Sequence, residues 1–186
     1  MREALVRDEI IDLGVGPCFR VVAQGEWIES EPIRFDAVGI SISFAGKYDA
    51  VVVTENEEVF VIDYKTTTLD DFALAKFYPQ LMAYVTAIEL PRSQTTMLPA
   101  YVDGIALLVF DPVKFAFNPK TKNSGLYGPT RWVELPRDQK RFDDLMQAVA
   151  QLVAHPQPPR SDRNCDICKL RLQVDQEDGV ATAIVT

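Results

Sequence analysis

The spacing of apolar positions changes along the chain, and those changes mark the elements. Over residues 2–13, Leu5, Ile10, Ile11 and Leu13 gather on one side of a helical wheel. This predicts a short amphipathic helix, stopped by Gly14-Val15-Gly16-Pro17. Residues 19–23, 27–35, 38–44 and 46–54 read as strands, and 58–65 is the densest run of β-formers. A helical pattern covers 69–90, with Asp70 and Asp71 at its electropositive start. Pro79 falls inside it and either kinks the helix or opens a new one. Residues 101–110 make a further strand, 112–133 reads mostly as loop ending in a short strand at 131–135, and 137–154 forms a last helix. Strands come first, followed by helix, strand, strand and helix. That order predicts an α/β (α+β) fold with a mixed central sheet flanked by helices, not a regular βαβ repeat. The chain reads as a single domain over 1–186, with its core in 19–154 and a turn-rich, Cys-containing tail at 155–186.

The candidate chemistry sits in the hairpin formed by 46–65. Alternate residues of a strand share a face, so Asp63 and Lys65 point one way and Tyr64 the other. A three-residue turn over 55–57 puts Asp49 directly opposite Asp63, whereas a two-residue turn puts the two acids on opposite faces. Opposed Cβ atoms lie ~4.5–5.5 Å apart. Two carboxylates that close repel unless a cation lies between them, and their oxygens suit a hard divalent ion such as Mg²⁺. The alternative is a plain ion pair between Asp49 and Lys65 at a sheet end. Fifteen residues after Lys65, Gln80 and Tyr84 lie four apart on one face of the helix.

The strings GKYD (46–49), VIDYKTT (61–67) and QLMAY (80–84) resemble those of the PD-(D/E)XK nucleases, and within them the RecB-type branch that includes CRISPR-associated and phage exonucleases. The pattern G-x-x-D, D-x-K, Q-x-x-x-Y occurs here in order across about 40 residues. The resemblance implies a restriction-endonuclease-like sheet and a Mg²⁺- or Mn²⁺-dependent DNA exonuclease, acting in recombination, repair, phage DNA processing or CRISPR adaptation. It implies that Asp49, Asp63 and the main-chain carbonyl of Tyr64 bind the metal. Lys65 would activate the attacking water, and Gln80 and Tyr84 would hold the substrate strand or the metal's hydration shell. The chemistry is coherent, because phosphodiester hydrolysis needs a nucleophile made near neutral pH and positive charge at phosphorus. The alternatives are a catalytically weakened nucleic-acid-binding or assembly subunit on the same fold, and an unrelated metal-dependent phosphohydrolase.

Two departures from that pattern matter. Many RecB-type domains carry a metal-binding His on an N-terminal helix, but the only His here is His155. Glu9 or Glu31 is the candidate acidic substitute. Several relatives also hold an iron–sulfur cluster on four Cys, whereas this chain offers only Cys18, Cys165 and Cys168. A cluster is therefore not expected. The late Cys pair either stays reduced or takes zinc with a fourth ligand such as His155.

Composition then limits the possibilities. Of 186 residues, 47% are apolar and 25% charged, as in an ordinary globular protein. No apolar run approaches the ~18 residues of a membrane span, and the charged N-terminus has no secretory h-region. Three Cys make no disulfide framework and point to a reducing cytoplasm. The net charge of −8 counts against a basic coat protein for nucleic acid. That charge is uneven: residues 1–63 hold 13 Asp/Glu against 5 Lys/Arg, and 64–186 hold 14 of each. From Pro112 to Val133 no acid occurs, and Lys114, Lys120, Lys122 and Arg131 are the candidate substrate-binding cations. Phe115, Phe117, Tyr127 and Trp132 lie among them, either as stacking rings for an unpaired strand or as plugs for the core. DNA, as a single strand or a duplex end, is the expected partner. So little positive field calls for help from a second protein or a homo-oligomer.

Overall fold

The computed structural model describes residues 9–68, 71–93, 98–120, 122–157 and 165, without the side chains of 71–73. A five-stranded mixed sheet lies at its centre. The strands are β1 (Phe19–Gln24), β6 (Ala50–Thr54), β7 (Val59–Thr66), β8 (Gly104–Phe110) and β11 (Thr130–Leu135), in the order β1-β6-β7-β8-β11. Neighbours are antiparallel except β7 and β8, which run parallel. A parallel pair needs a long crossover, and helix α1 (Asp71–Glu89) supplies it. It runs through Pro79 as one helix.

The strand predicted over 27–35 divides into β2 (Trp27–Glu29) and β3 (Ile33–Phe35). Pro32 cannot donate to a ladder, and buried Ser30 turns the chain, its hydroxyl accepting from Phe44 N at 2.9 Å. β4 (Ile40–Ile42) pairs with β3, and β5 (Ala45–Lys47) pairs with β2. The strand predicted over 46–54 therefore breaks at Tyr48-Asp49, between β5 and β6.

Alternation along β6, β7 and β8 divides the apolar residues between two faces. Val51, Val61, Ile105, Leu107 and Val109 face α1 and pack with Tyr78, Leu81, Met82 and Val85. Phe19, Val21, Val52, Phe60, Ile62 and Ala106 form the second cluster, on the opposite face. Helix α2 (Gln139–Ala154) packs on the α1 side through Phe142, whose ring lies 5.5 Å from that of Phe44. Asp138 caps it, accepting from Arg141 N at 2.9 Å.

Two sequence expectations change, and for Trp132 the core reading, one of the two left open, holds. The helix over 2–13 does not form in its described part: Ile11 pairs antiparallel with Phe19 and packs on the second cluster, while Asp12 accepts from Gly14 N in a tight turn. Sheet pairing serves the apolar Ile11 better than one turn of isolated helix; residues 2–8 and Asp70 lie outside the described residues. The segment 112–133 is not mostly loop but a hairpin, β9 (Lys114–Asn118) with β10 (Asn123–Tyr127). Trp132 is no exposed stacking ring. It packs 5.7 Å from both Phe19 and Phe60, in the second cluster.

Candidate active site

The β6–β7 turn is the three-residue one. Thr54 N donates to Glu58 O at 2.9 Å and Glu57 takes a left-handed φ of 64°. Ala50 pairs with Ile62, so the next positions out, Asp49 and Asp63, face each other at the end of the ladder. Asp49 sits just before β6 and is fixed twice. Its carbonyl accepts from Gly25 N at 3.0 Å, and its Oδ2 accepts from Tyr64 N at 2.8 Å. Gly25 makes that approach with a φ of 63°, a conformation glycine adopts without strain.

Asp63 is buried, 3% exposed, on the face toward α1. Burial pushes its carboxyl above the usual range; the Lys65 ammonium opposes that shift, and the adjacent Asp49 carboxylate reinforces it. Lys65 Nζ forms an ion pair with Asp63 Oδ2. That pair lies within β7, between residues two apart on one face of the strand. From α1, Gln80 Nε2 reaches Asp63 Oδ1 at 3.5 Å and donates to the Tyr84 hydroxyl at 3.1 Å. Tyr84 in turn donates to the carbonyl of Lys47 at 3.0 Å. The five residues singled out on β7, α1 and the turn before β6 come together at one point on the sheet.

Two contributors escaped sequence reasoning. The Phe77 ring lies 4.5 Å from Lys65 Nζ, a cation–π contact that holds the ammonium from the helix side. Its signal was available, because Phe77 is three residues before Gln80 and seven before Tyr84, on the same helical face. Gly46 matters for its lack of a side chain: a Cβ there would stand 3.1 Å from Tyr84 Cε1.

Other expected residues sit elsewhere. Glu9 and Glu31 do not join the acidic pair; among the described residues no group of three or more His, Cys, Asp or Glu assembles. Glu31 is tied through its N–H to Leu90 O, at the far end of α1. His155 caps α2 and hydrogen-bonds Gln157. Cys18 is a free thiol with its pKa raised by burial and by Asp12 and Glu55. Cys165 is disulfide-bonded, not the reduced thiol expected, and Cys168 lies outside the described residues. Arg131 pairs with Val109, which pairs with Lys65, so Arg131 shares the Lys65 face two strands away, ~10 Å across the sheet. Lys114, Lys120 and Lys122 are exposed on the β9–β10 hairpin.

The donor set fits a divalent cation of the Mg²⁺ class. Two facing carboxylates, one of them buried, and the nearby Tyr64 carbonyl are all hard oxygen ligands. Among the described residues no helix is long and apolar enough to cross a membrane. No curated protein matches the chain. The family model of the PD-(D/E)XK nuclease superfamily matches residues 15–172. That span takes in the whole central sheet, the crossover helix and α2, well beyond the three motif strings, and the chain belongs to the PD-(D/E)XK nuclease superfamily.

Proposed function

We propose that the protein is a Mg²⁺- or Mn²⁺-dependent DNA exonuclease of the RecB-type branch, acting in the cytoplasm in recombination, repair, phage DNA processing or CRISPR adaptation. Superfamily membership assigns a nuclease; the metal, the DNA substrate, the exonucleolytic mode and the branch are this proposal's own. The observation that carries it is the buried Asp63, facing Asp49 across the end of the hairpin, paired with Lys65 and reached by Gln80 from α1.

A divalent cation held by Asp49, Asp63 and the Tyr64 carbonyl would supply Lewis-acid charge at the phosphate and a more acidic water. Lys65 has its ammonium at the rim of this pair, one-fifth exposed, where it can donate to the attacking water and to a phosphate oxygen. Phe77 fixes its approach. Gln80 carries an amide that can pass from Asp63 to a substrate oxygen, and the Tyr84 hydroxyl keeps that amide turned inward. Arg131, on the same face, and Lys114, Lys120 and Lys122 provide phosphate contacts along the path of the strand. Asp63→Ala or Lys65→Ala should abolish Mg²⁺-dependent degradation of end-labelled linear DNA while circular dichroism stays native. Full activity in both variants would sink the proposal.

A second reading, a weakened nucleic-acid-binding or assembly subunit, draws on the separation of Glu9 and Glu31 from the acidic pair. Calorimetry with Mn²⁺ divides the two. Binding lost in Asp49→Asn supports the enzyme, and binding indifferent to that change supports the subunit.

A further inference from the structure

The β9–β10 hairpin stands outside the central sheet. It extends the β8–β11 pair past the sheet's end: Asp111 N donates to Pro129 O and Val113 N to Tyr127 O, both at 3.0 Å. A Cβ on Gly128 would fall 1.8 Å from Asp111 O, so the base of the arm closes only around a glycine. The arm leaves from the end of β8 that lies beside Lys65 and Thr66, and Thr68 Oγ1 ties to Asp111 Oδ1 at 3.0 Å. Five residues per strand carry it ~17 Å beyond its base.

The arm has two unlike faces. Phe115 pairs with Leu126 and Phe117 with Ser124, so Phe115, Phe117 and Leu126 share one face, and they are 63%, 56% and 54% exposed. Lys114, Asn118, Asn123 and Tyr127 share the other. Lys120 and Lys122 flank the tip, Lys122 at a left-handed φ of 56°. Burial would stabilise such rings by roughly 1.5–3 kcal/mol each, yet they remain in water. An apolar face left open on a projecting, wholly cationic arm meets a ligand that is both flat-ringed and anionic.

We infer that the β9–β10 arm binds an unpaired nucleic-acid strand, its bases stacking on Phe115 and Phe117 and its phosphates meeting Lys120 and Lys122 at the tip on the way to Lys65. Charge complementarity selects this occupant, because the stretch from Pro112 to Val133 carries four cations and no acid in a protein of net charge −8. Stacking rings beside a backbone-tracking set of cations is the requirement for single-strand binding. A duplex buries its base faces and offers those rings nothing. The inference deepens the proposed nuclease function and rests on it for direction of travel only.

The test is fluorescence anisotropy of the full-length protein in EDTA with labelled oligothymidylate, oligouridylate and a blunt duplex of equal length. Wild type is expected to favour an unpaired strand over the duplex, and the tighter of the two single strands names the one the arm serves. Phe115→Ala and Phe117→Ala should each weaken that binding by roughly tenfold or more, with duplex affinity and melting temperature unchanged. Phe→Leu at both positions keeps apolar area without stacking and should restore none of the loss. Lys120→Gln and Lys122→Gln should each lower the slope of log affinity against log salt by about 0.7. Unchanged single-strand binding in the Phe→Ala pair, full rescue by Leu, or a dimer that dissolves in Phe→Ala with strand affinity intact would overturn the inference. Because the assay holds no divalent cation, it stands or fails separately from the cleavage test on Asp63.

Discussion

Asp63 sets the balance between stability and function at the level of single residues. Its pKa is raised in the fold from the ordinary 3.8, so the folded state favours the protonated acid. In the metal-free protein that preference stabilises fully below the ordinary value and is lost as pH climbs through the raised one. At neutral pH, well above the ordinary value, the buried acid therefore costs stability, softened by Lys65. Asp63→Asn should therefore raise the melting temperature of the metal-free protein at pH 7 and flatten its acid-side dependence, as thermal melts across pH will read. Lys65→Met should do the opposite, by about 3 kcal/mol, since removing one partner leaves a buried charge uncompensated. Urea melts of Lys65→Met and of the double variant check this, the double being more stable than Lys65→Met alone. The carboxylate pair was legible beforehand, because strand alternation and a counted turn place Asp49 against Asp63. Which acid takes Lys65 was not, because that depends on side-chain reach along β7. Phe77 beneath the ammonium likewise needed the packing of α1 on the sheet.

Between elements, the site depends on how α1 meets the β5–β6 corner. Tyr84 lies against Gly46, donates to the Lys47 carbonyl and accepts from Gln80. Tyr84→Phe removes both hydrogen bonds, costing about 1–2 kcal/mol, and should lower activity further than stability by freeing Gln80. Gly46→Ala presses on the ring and should cost a similar amount. A double-mutant cycle on urea melts checks the pair: the tight contact predicts that the two losses do not add. A second junction lies away from the site. Arg137 Nη2 meets Glu89 Oε2 at 2.8 Å, its other arm binds the Val102 carbonyl, and its guanidinium stacks 4.7 Å from the Tyr101 ring. Arg137→Ala should cost about 1–3 kcal/mol in stability, because Glu89 then loses a partly buried partner, with specific activity per folded molecule preserved. Element order was readable from apolar spacing, but two features were not. The start of the chain looked helical until Ile11 found a sheet partner in Phe19. The 114–127 arm looked like loop because its alternating residues bury little, and burial is what makes a strand pattern conspicuous in sequence.

Across the whole molecule the opposing fact is charge. A protein of net −8 repels a polyanion at long range, so its attraction has to be local, within a Debye length of ~8–10 Å at physiological salt. The geometry concentrates it: the acids of the first 63 residues outnumber the cations 13 to 5, while the stretch from Pro112 to Val133 carries Lys114, Lys120, Lys122 and Arg131 with no acid among them. Two of those first-third acids, Asp49 and Asp63, are the proposed cation ligands, so the metal-loaded protein presents less negative charge at the site than the formal count. Four phosphate contacts imply a slope of log affinity against log salt near −3 for a single strand. A fourfold rise in salt should then weaken binding by roughly 60-fold, measured by anisotropy in EDTA across a salt series. A slope near zero would remove phosphate contact from the account of these four cations. A slope much steeper than −3 would require cations from a second copy or a partner protein, and light scattering on the same samples distinguishes the copy from the monomer. If the slope holds near −3, unaided affinity stays weak. Processive degradation then requires either a threaded end kept on the arm or a partner that holds the duplex.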